Sequence, residues 1–368
     1  MKRILYLSRG GAVGGSQRQL HYVVTNLDHS YEPIVVCRAD GQFFGQLQDC
    51  GIKTRIFTLH PWRKFPAALY RYMDAERLAR YAKAQQISLV HSSDLWLCSY
   101  MIWVARRLKI PSVLHVRTPI RPNEVYKHRC YEATAIVAIS RRVRQNLLSA
   151  GVPPEKISQI DDAVDLRAFK PDGLKQNVLR RDFLPCGSVL VGIVGRIEPS
   201  KRQLVFLQAA RQVLHNSSRK VTFFVIGEVH SREYFEQLER FVRQNGLNGH
   251  VVFTGRRDDM PQVLSSLDIL VSLSGGSVMF EAMTCGTVVV SAGFSTKGDC
   301  VHLQDGRTGL LVSSSRLSEL VRALVRLMDA PELRSRIGRE AKKWAQNKFC
   351  HIDMAAKTQQ LYGQLLQE

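Results

Sequence analysis

Nowhere does the sequence contain the ~18–20 consecutive uncharged apolar residues that a membrane-spanning helix requires. Its opening, Met1-Lys2-Arg3-Ile4-Leu5-Tyr6-Leu7-Ser8-Arg9, carries the first charges of a signal peptide but too short an apolar run to be one. It reads instead as a first buried strand, and the expected location is the cytoplasm. The eight cysteines are scattered, with no C-x-x-C spacing, so neither a metal site nor a disulfide framework is indicated. No acidic motif of the D-x-D kind stands out, and no obligatory metal is expected. There is no repeat of fixed period, which argues against a solenoid or propeller.

A chain of 368 residues with 45% hydrophobic content is too long for one ordinary core and suits two globular domains. Its formal charge is +20 and both halves are basic, so the charge is no appended tail. Such a field suits phosphate-bearing partners, among them nucleotides and an anionic membrane surface, or it serves solubility alone. No RNA-recognition motif accompanies it, and a nucleic-acid partner is not expected.

Short apolar runs alternate with helical patterns along the chain. The runs Arg3–Ser8, Pro33–Cys37, Lys53–Leu59, Ser88–Ser92, Pro111–Val116 and Thr134–Ile139 predict strands in the first half. In the second half the predicted strands are Val189–Gly195, Val221–Gly227, Val251–Thr254, Ile269–Leu273 and Thr287–Ser291, with Gly309–Val312 a weaker pattern. Over Gln17–Leu27, Leu20, Val23, Val24 and Leu27 recur at helical spacing. Near-continuous Val/Ile/Leu strands separated by helices predict parallel sheets covered on both faces, hence two doubly wound α/β domains. Lys170–Pro185, with two prolines and no clear period, predicts a boundary that separates a domain over 1–172 from one over 173–349. Two final helices are expected, Leu333–Phe349 and His351–Leu366, broken around Phe349–His351.

Three turns can carry chemistry. In the first, Arg9-Gly10-Gly11-Ala12-Val13-Gly14-Gly15-Ser16, glycines permit a sharp turn and leave a helix N-terminus open to a phosphate, or they serve the turn alone. In the second, Gly195-Arg196-Ile197-Glu198-Pro199-Ser200-Lys201, a strand ends and a helix begins near Pro199 or Ser200. Arg196 can offer a planar fork to a diphosphate and Lys201 a point charge, although both can equally be solvated surface charges. In the third, a strand runs through Ser272-Leu273-Ser274 into Gly275-Gly276-Ser277-Val278, and a short helix then carries Glu281 among apolar neighbours. A carboxylate there needs hydrogen-bond donors, which ribose hydroxyls or backbone N–H groups can supply.

The order and spacing of these segments resemble the retaining glycosyltransferases of family four (group 1), which have the GT-B fold. Gly14-Gly15-Ser16 is similar to the family's N-terminal glycine turn. Ala138-Ile139-Ser140 through Gly151-Val152-Pro153 resembles its V-S…L…G-V-P segment, and Asp162-Ala163-Val164-Asp165…Phe169-Lys170-Pro171 its N-G-V-D…F-x-P. Gly195-Arg196…Lys201, Phe253-Thr254-Gly255, Glu281-Ala282-Met283…Gly286 and Asp305-Gly306…Gly309-Leu310-Leu311-Val312 resemble G-R…K, F-x-G, E-A-M-A-x-G and D-G…G-L-L-V. The resemblance covers essentially the whole chain.

It implies two Rossmann-like domains facing a cleft, with an acceptor-binding domain over 1–172, a nucleotide-sugar domain over 173–349 and a helix over 350–368 crossing back to the first. It further implies a nucleoside diphosphate sugar donor, UDP- or GDP-linked, and a glycan or lipid-linked acceptor. The reaction would be sugar transfer with retention, in cell-surface glycan or lipopolysaccharide biosynthesis, in the cytoplasm or on the inner face of a membrane. Arg196 and Lys201 would hold the donor diphosphate, Glu281 the ribose, backbone N–H groups of Gly275–Val278 the sugar or phosphate, and Gly14-Gly15 would close the acceptor side.

Three positions depart from the family pattern. Leu273 stands where a second Glu often occurs, Asp162-Ala163 replaces N-G, and Arg117 takes the place of a His that usually touches the donor sugar. His115, two residues before Arg117, shares its face by strand alternation. Arg117 and then His115 are the cleft candidates, with a buried structural role for His115 left open. A sugar-nucleotide epimerase of the same architecture and a non-catalytic sugar-nucleotide-binding protein are the alternatives.

Overall fold

The computed structural model describes residues 1–169, 178–183, 187–292, 302–313 and 316–367. Two compact units emerge: Met1–Ala163 together with His351–Glu368, and Val164–Cys350.

The first unit is built on β1 (Lys2–Gly10), β2 (Tyr31–Ala39), β3 (Lys53–Ile56), β4 (Ile87–Ser92), β5 (Ser112–Val116), β6 (Ala135–Ala138) and β7 (Ile157–Gln159). They form one parallel sheet in the order β3-β2-β1-β4-β5-β6-β7. Alternate residues of each strand enter opposite cores. Leu5, Leu7, Val90 and Leu114 pack on one side; Ile4, Tyr6, Leu89 and Val113 pack on the other. Burial on both faces is why these strands read as unbroken apolar runs. The β7 edge strand escaped the sequence reading, since three residues, Ile-Ser-Gln, carry no period. The first helix, Gly15–Thr25, buries Leu20, Val23 and Val24 as its spacing predicts. Leu27 lies beyond the helix end and still packs on that core.

The second unit carries β8 (Val189–Val194), β9 (Val221–Ile226), β10 (Val251–Gly255), β11 (Ile269–Ser272), β12 (Val288–Ser291) and β13 (Leu310–Leu311). Among the described residues their order is β10-β9-β8-β11-β12-β13, again all parallel. Both sheets therefore reverse their strand order beside the first strand of the unit.

The division falls between Ala163 and Val164, earlier than the boundary after 172 that the sequence suggested. Val164 is the reason: its N–H donates to the Phe349 carbonyl at 2.8 Å, and Phe169 is buried in a second-unit core. Of the Lys170–Pro185 stretch, residues 178–183 form a short helix and the rest lies outside the described residues. The helix Pro331–Lys348 ends before Phe349, and the last helix, His351–Gln367, belongs to the first unit. There the Tyr362 hydroxyl meets Tyr6 Oη at 3.0 Å and His91 Nδ1 at 2.5 Å, all three buried. No helix among the described residues is long and apolar enough to cross a membrane.

Candidate active site

Open α/β sheets bind ligands beyond the C-terminal ends of their strands, where the strand order reverses. In the second unit that point lies between β8 and β11, which pair through Val191, Gly192 and Ile193. Beyond β8 come Gly195 and Arg196. Beyond β11 come Ser274, Gly275, Gly276 and Ser277, leading into the helix Val278–Cys285. The two turns singled out in the sequence are thus carried on neighbouring strands of one sheet.

The β8 turn is tightly packed. A side chain on Gly227, at the end of β9, would begin 2.1 Å from the Gly195 carbonyl oxygen, so only glycine lets the two strand ends approach. The aliphatic stem of Lys201 lies 3.4 Å from where a Gly195 side chain would start, which lays Lys201 back over the strand end at Gly195. The expected helix start at Pro199 or Ser200 is a single tight turn, Pro199–Lys201; the α-helix begins at Gln203 after Arg202 in a left-handed conformation. Gln203 Nε2 donates to the Arg196 carbonyl at 2.9 Å, pinning the turn to the helix. The Arg196 side chain is 59% exposed, and its guanidinium reaches Glu198 at 3.3 Å. Glu198 also accepts from Ser200 Oγ at 2.7 Å. Lys201 makes no ion pair among the described residues. A surface pair of this kind is weak, and a dianionic ligand would compete for Arg196 readily.

Glu281 is 3% exposed and sits between the apolar Phe280 and Ala282; it is not unpartnered. Leu273 is buried in the second unit's core, packed as a structural residue where the family pattern often places a carboxylate.

In the first unit, His115 near the end of β5 and Arg117 just beyond it do share a face. Arg117 Nη2 lies 3.3 Å from His115 Nδ1, and Arg117 Nη1 donates to Asp162 Oδ1 at 2.5 Å. Two of the three departures noted in the sequence are therefore partners in one ion pair, 45 residues apart. Because a guanidinium only donates, His115 Nδ1 must accept, which places the ring proton on Nε2. Burial, then the Arg117 charge, then His91 hold the His115 imidazole well below its usual range, so it is neutral. His91 stacks on it at 5.6 Å, with burial pushing its own value down to about 3.

Of these groups, His115 and Arg117 line a cavity of about 690 Å³ in the first unit, which also takes in Arg9, Ser16, Asp94, Trp62 and Trp96. Gly14 caps the helix that begins at Gly15, with its N–H donating to Gln17 Oε1 at 3.3 Å. Sequence reasoning missed Asp94, Trp96, Lys127 and His128 in this lining. They come from turns and a short helix without motif, and only their convergence marks them.

Comparison with known proteins follows the same division. Residues 13–168 match Glycosyltransferase Family 4, and residues 179–344 match Glycosyl transferases group 1. The two matches together span most of the chain, which belongs to the family 4, group 1 glycosyltransferases. It is 28% identical over 287 residues, 71% of this chain, to the D-inositol 3-phosphate glycosyltransferase of Rhodococcus erythropolis. It is 32% identical over 232 residues, 59% of this chain, to the 2-deoxystreptamine glucosyltransferase of Streptomyces kanamyceticus. The chain spans 64% and 57% of the length of these two relatives. In fold it matches Anabaena HepE, a protein crystallised in complex with UDP and glucose, with a TM-score of 0.87 at 20% identity over 99% of this chain and 100% of that one. The fold is of the GT-B type.

Proposed function

We propose that the protein transfers a sugar from a nucleoside diphosphate sugar to an acceptor hydroxyl with retention of configuration. The observation that carries this reading is the β8–β11 reversal, flanked by an Arg196–Lys201 turn on one strand and a Gly275-Gly276 turn on the next. Arg196 and Lys201 hold the donor diphosphate. Backbone N–H groups of Gly275–Val278 face the sugar or phosphate, and Glu281 takes the ribose hydroxyls.

As the glycosidic bond breaks, negative charge grows on the departing diphosphate, and preorganised cations stabilise it most at the transition state. The leaving oxygen is itself the group that takes the acceptor's proton, so the chain need not supply a strong base. The first unit, with Gly14-Gly15, His115 and Arg117, holds the acceptor. Family membership favours transfer over the epimerase alternative. The direct test is a panel of UDP-, GDP- and ADP-sugars read by thermal stabilisation and by acceptor-dependent release of nucleoside diphosphate. Release with no donor selectivity, or none with any donor, would count against the reading.

A lipid-linked or lipopolysaccharide-type acceptor, met at the inner face of a membrane, fits a second feature. Phe65, Leu69, Tyr70, Tyr72 and Met73 are exposed beside Arg63 and Lys64, while the helix Arg71–Ala84, which carries the last two, buries Ala75, Leu78, Ala79 and Ala82. Arg77, Arg80 and Lys83 extend the basic side. Rings and cations on one surface suit anionic headgroups. Flotation with anionic liposomes should show binding that weakens with salt; no salt-sensitive binding ends this part of the reading.

A further inference from the structure

The charges lining the first unit's cavity do not balance. Asp94 is occupied by Arg9 at 2.7 Å and by the backbone N–H of Trp96 at 2.8 Å. Glu124 accepts from the Arg121 N–H at 2.9 Å, and Arg117 is matched by Asp162. Arg63, Lys64 and Lys127 remain against the single carboxylate of Glu124, a surplus of two cations, and none of the three makes an ion pair among the described residues. They come from separate parts of the chain, the segment after β3 and the helix Pro122–Lys127. Arg63 and Lys127 are both felt at His128, whose imidazole is held below its usual range by burial first and then by these two charges.

Deeper in the lining, two donor atoms are buried without a hydrogen-bond partner: Nε2 of His115 and Nε of Arg117. Buried polar groups are ordinarily paired, and both of these atoms can only donate. Trp62 and Trp96 add flat, partly apolar faces. Surplus cations, unpaired donors and aromatic walls are together complementary to a sugar or polyol that bears an oxyanion.

We propose that the acceptor bound in this cavity carries a phosphate or carboxylate group, held by Arg63, Lys64 and Lys127, with the His115 and Arg117 donors completing its contacts. The proposal rests on the reading of the first unit as the acceptor unit. It names the acceptor's chemical class, which that reading leaves open.

The test is isothermal titration of the full chain, without donor and at low salt, with matched hexoses, hexose phosphates and hexuronates. At least one anionic series should bind on the order of 10- to 100-fold more tightly than its neutral counterpart. Whether the phosphate or the carboxylate series wins identifies the source of the oxyanion. The triple variant Arg63→Ala/Lys64→Ala/Lys127→Ala, at surface positions that leave the fold intact, should erase that preference. Equal binding of neutral and anionic sugars, or binding of none, overturns the proposal. Loss of the preference in Arg196→Ala overturns it too, because the anion would then occupy the second unit's cations. A parallel titration with UDP reports on the donor reading separately. UDP binding without an anion preference sinks this proposal alone; an anion preference without UDP binding sinks the donor reading alone.

Discussion

In the first unit, the polar groups near the strand-order reversal are buried and tied to one another. In the second unit, the corresponding cations stand toward solvent and are loosely held. Tyr6, His91 and Tyr362 are hydrogen-bonded in a row through the Tyr362 hydroxyl, and His115 hands on to Arg117 and Asp162. Arg196, by contrast, leans on Glu198 with most of its side chain exposed. One topology thus supports two kinds of site. A buried polar floor is built in advance and resists change, whereas exposed cations, as in the proposed diphosphate clamp, can be drawn onto a ligand from a weak partner. The comparison teaches that damage to the first site should appear in stability, and damage to the second in binding and turnover.

The sharpest way to break that contrast is to split the Arg117–Asp162 pair. Both side chains are largely buried, and removing one partner leaves an uncompensated charge that costs about 3–5 kcal/mol. Asp162→Ala should therefore lower the stability of the first unit by that amount in denaturant unfolding. A loss under about 1 kcal/mol would place the pair with ordinary surface bridges.

The second unit should respond in the opposite sense. Arg196→Ala and Lys201→Ala are expected to lower turnover by about 10²–10³ each, roughly 3–4 kcal/mol, with little change in stability. The double variant should fall short of additive because both cations act on one group. Titration with nucleoside diphosphate and with bare nucleoside sharpens the result: only the diphosphate should weaken. Equal loss for both ligands would mean a folding defect instead.

A smaller effect is expected at Glu281. Exchanging its carboxylate for an amide in Glu281→Gln should weaken nucleotide binding by roughly 1.5–3 kcal/mol while the fold survives. Unchanged donor affinity would make Glu281 a purely structural residue of its helix.

The last contrast is in pH, small near neutrality and growing with acid. His91 is depressed from 6.5 to about 3, and His115 is also held well below its usual range. The unfolded chain therefore binds protons that the folded first unit refuses. Stability is full above pH 6.5 and falls as the pH drops from there toward 3, by about 1.4 kcal/mol per pH unit for His91, with His115 adding to the loss in the same direction. Acid unfolding followed by tryptophan fluorescence reads this through Trp62, Trp96 and Trp103 of the first unit. A flat stability profile between pH 6.5 and 4.5 would mean that the histidines are not buried neutral.

Much of the fold was legible in the residue pattern, because burial on both faces of a parallel sheet leaves a local mark. Val189–Val194, Val221–Ile226 and Ile269–Ser272 are apolar nearly throughout, and glycines punctuate their ends. The candidate diphosphate turn was legible for the same reason: Gly195, Arg196 and Lys201 lie within a few residues of one strand end. Local sequence thus determined the two doubly wound sheets, the turns at their reversals and the closing pair of helices. Tertiary structure alone decided which distant polar groups meet. That Arg117 finds Asp162, or that Tyr362 reaches His91 and Tyr6 from the far end of the chain, depends on strand order and on where the last helix docks. Periodicity reports whether a side chain is buried; its partner is set by topology.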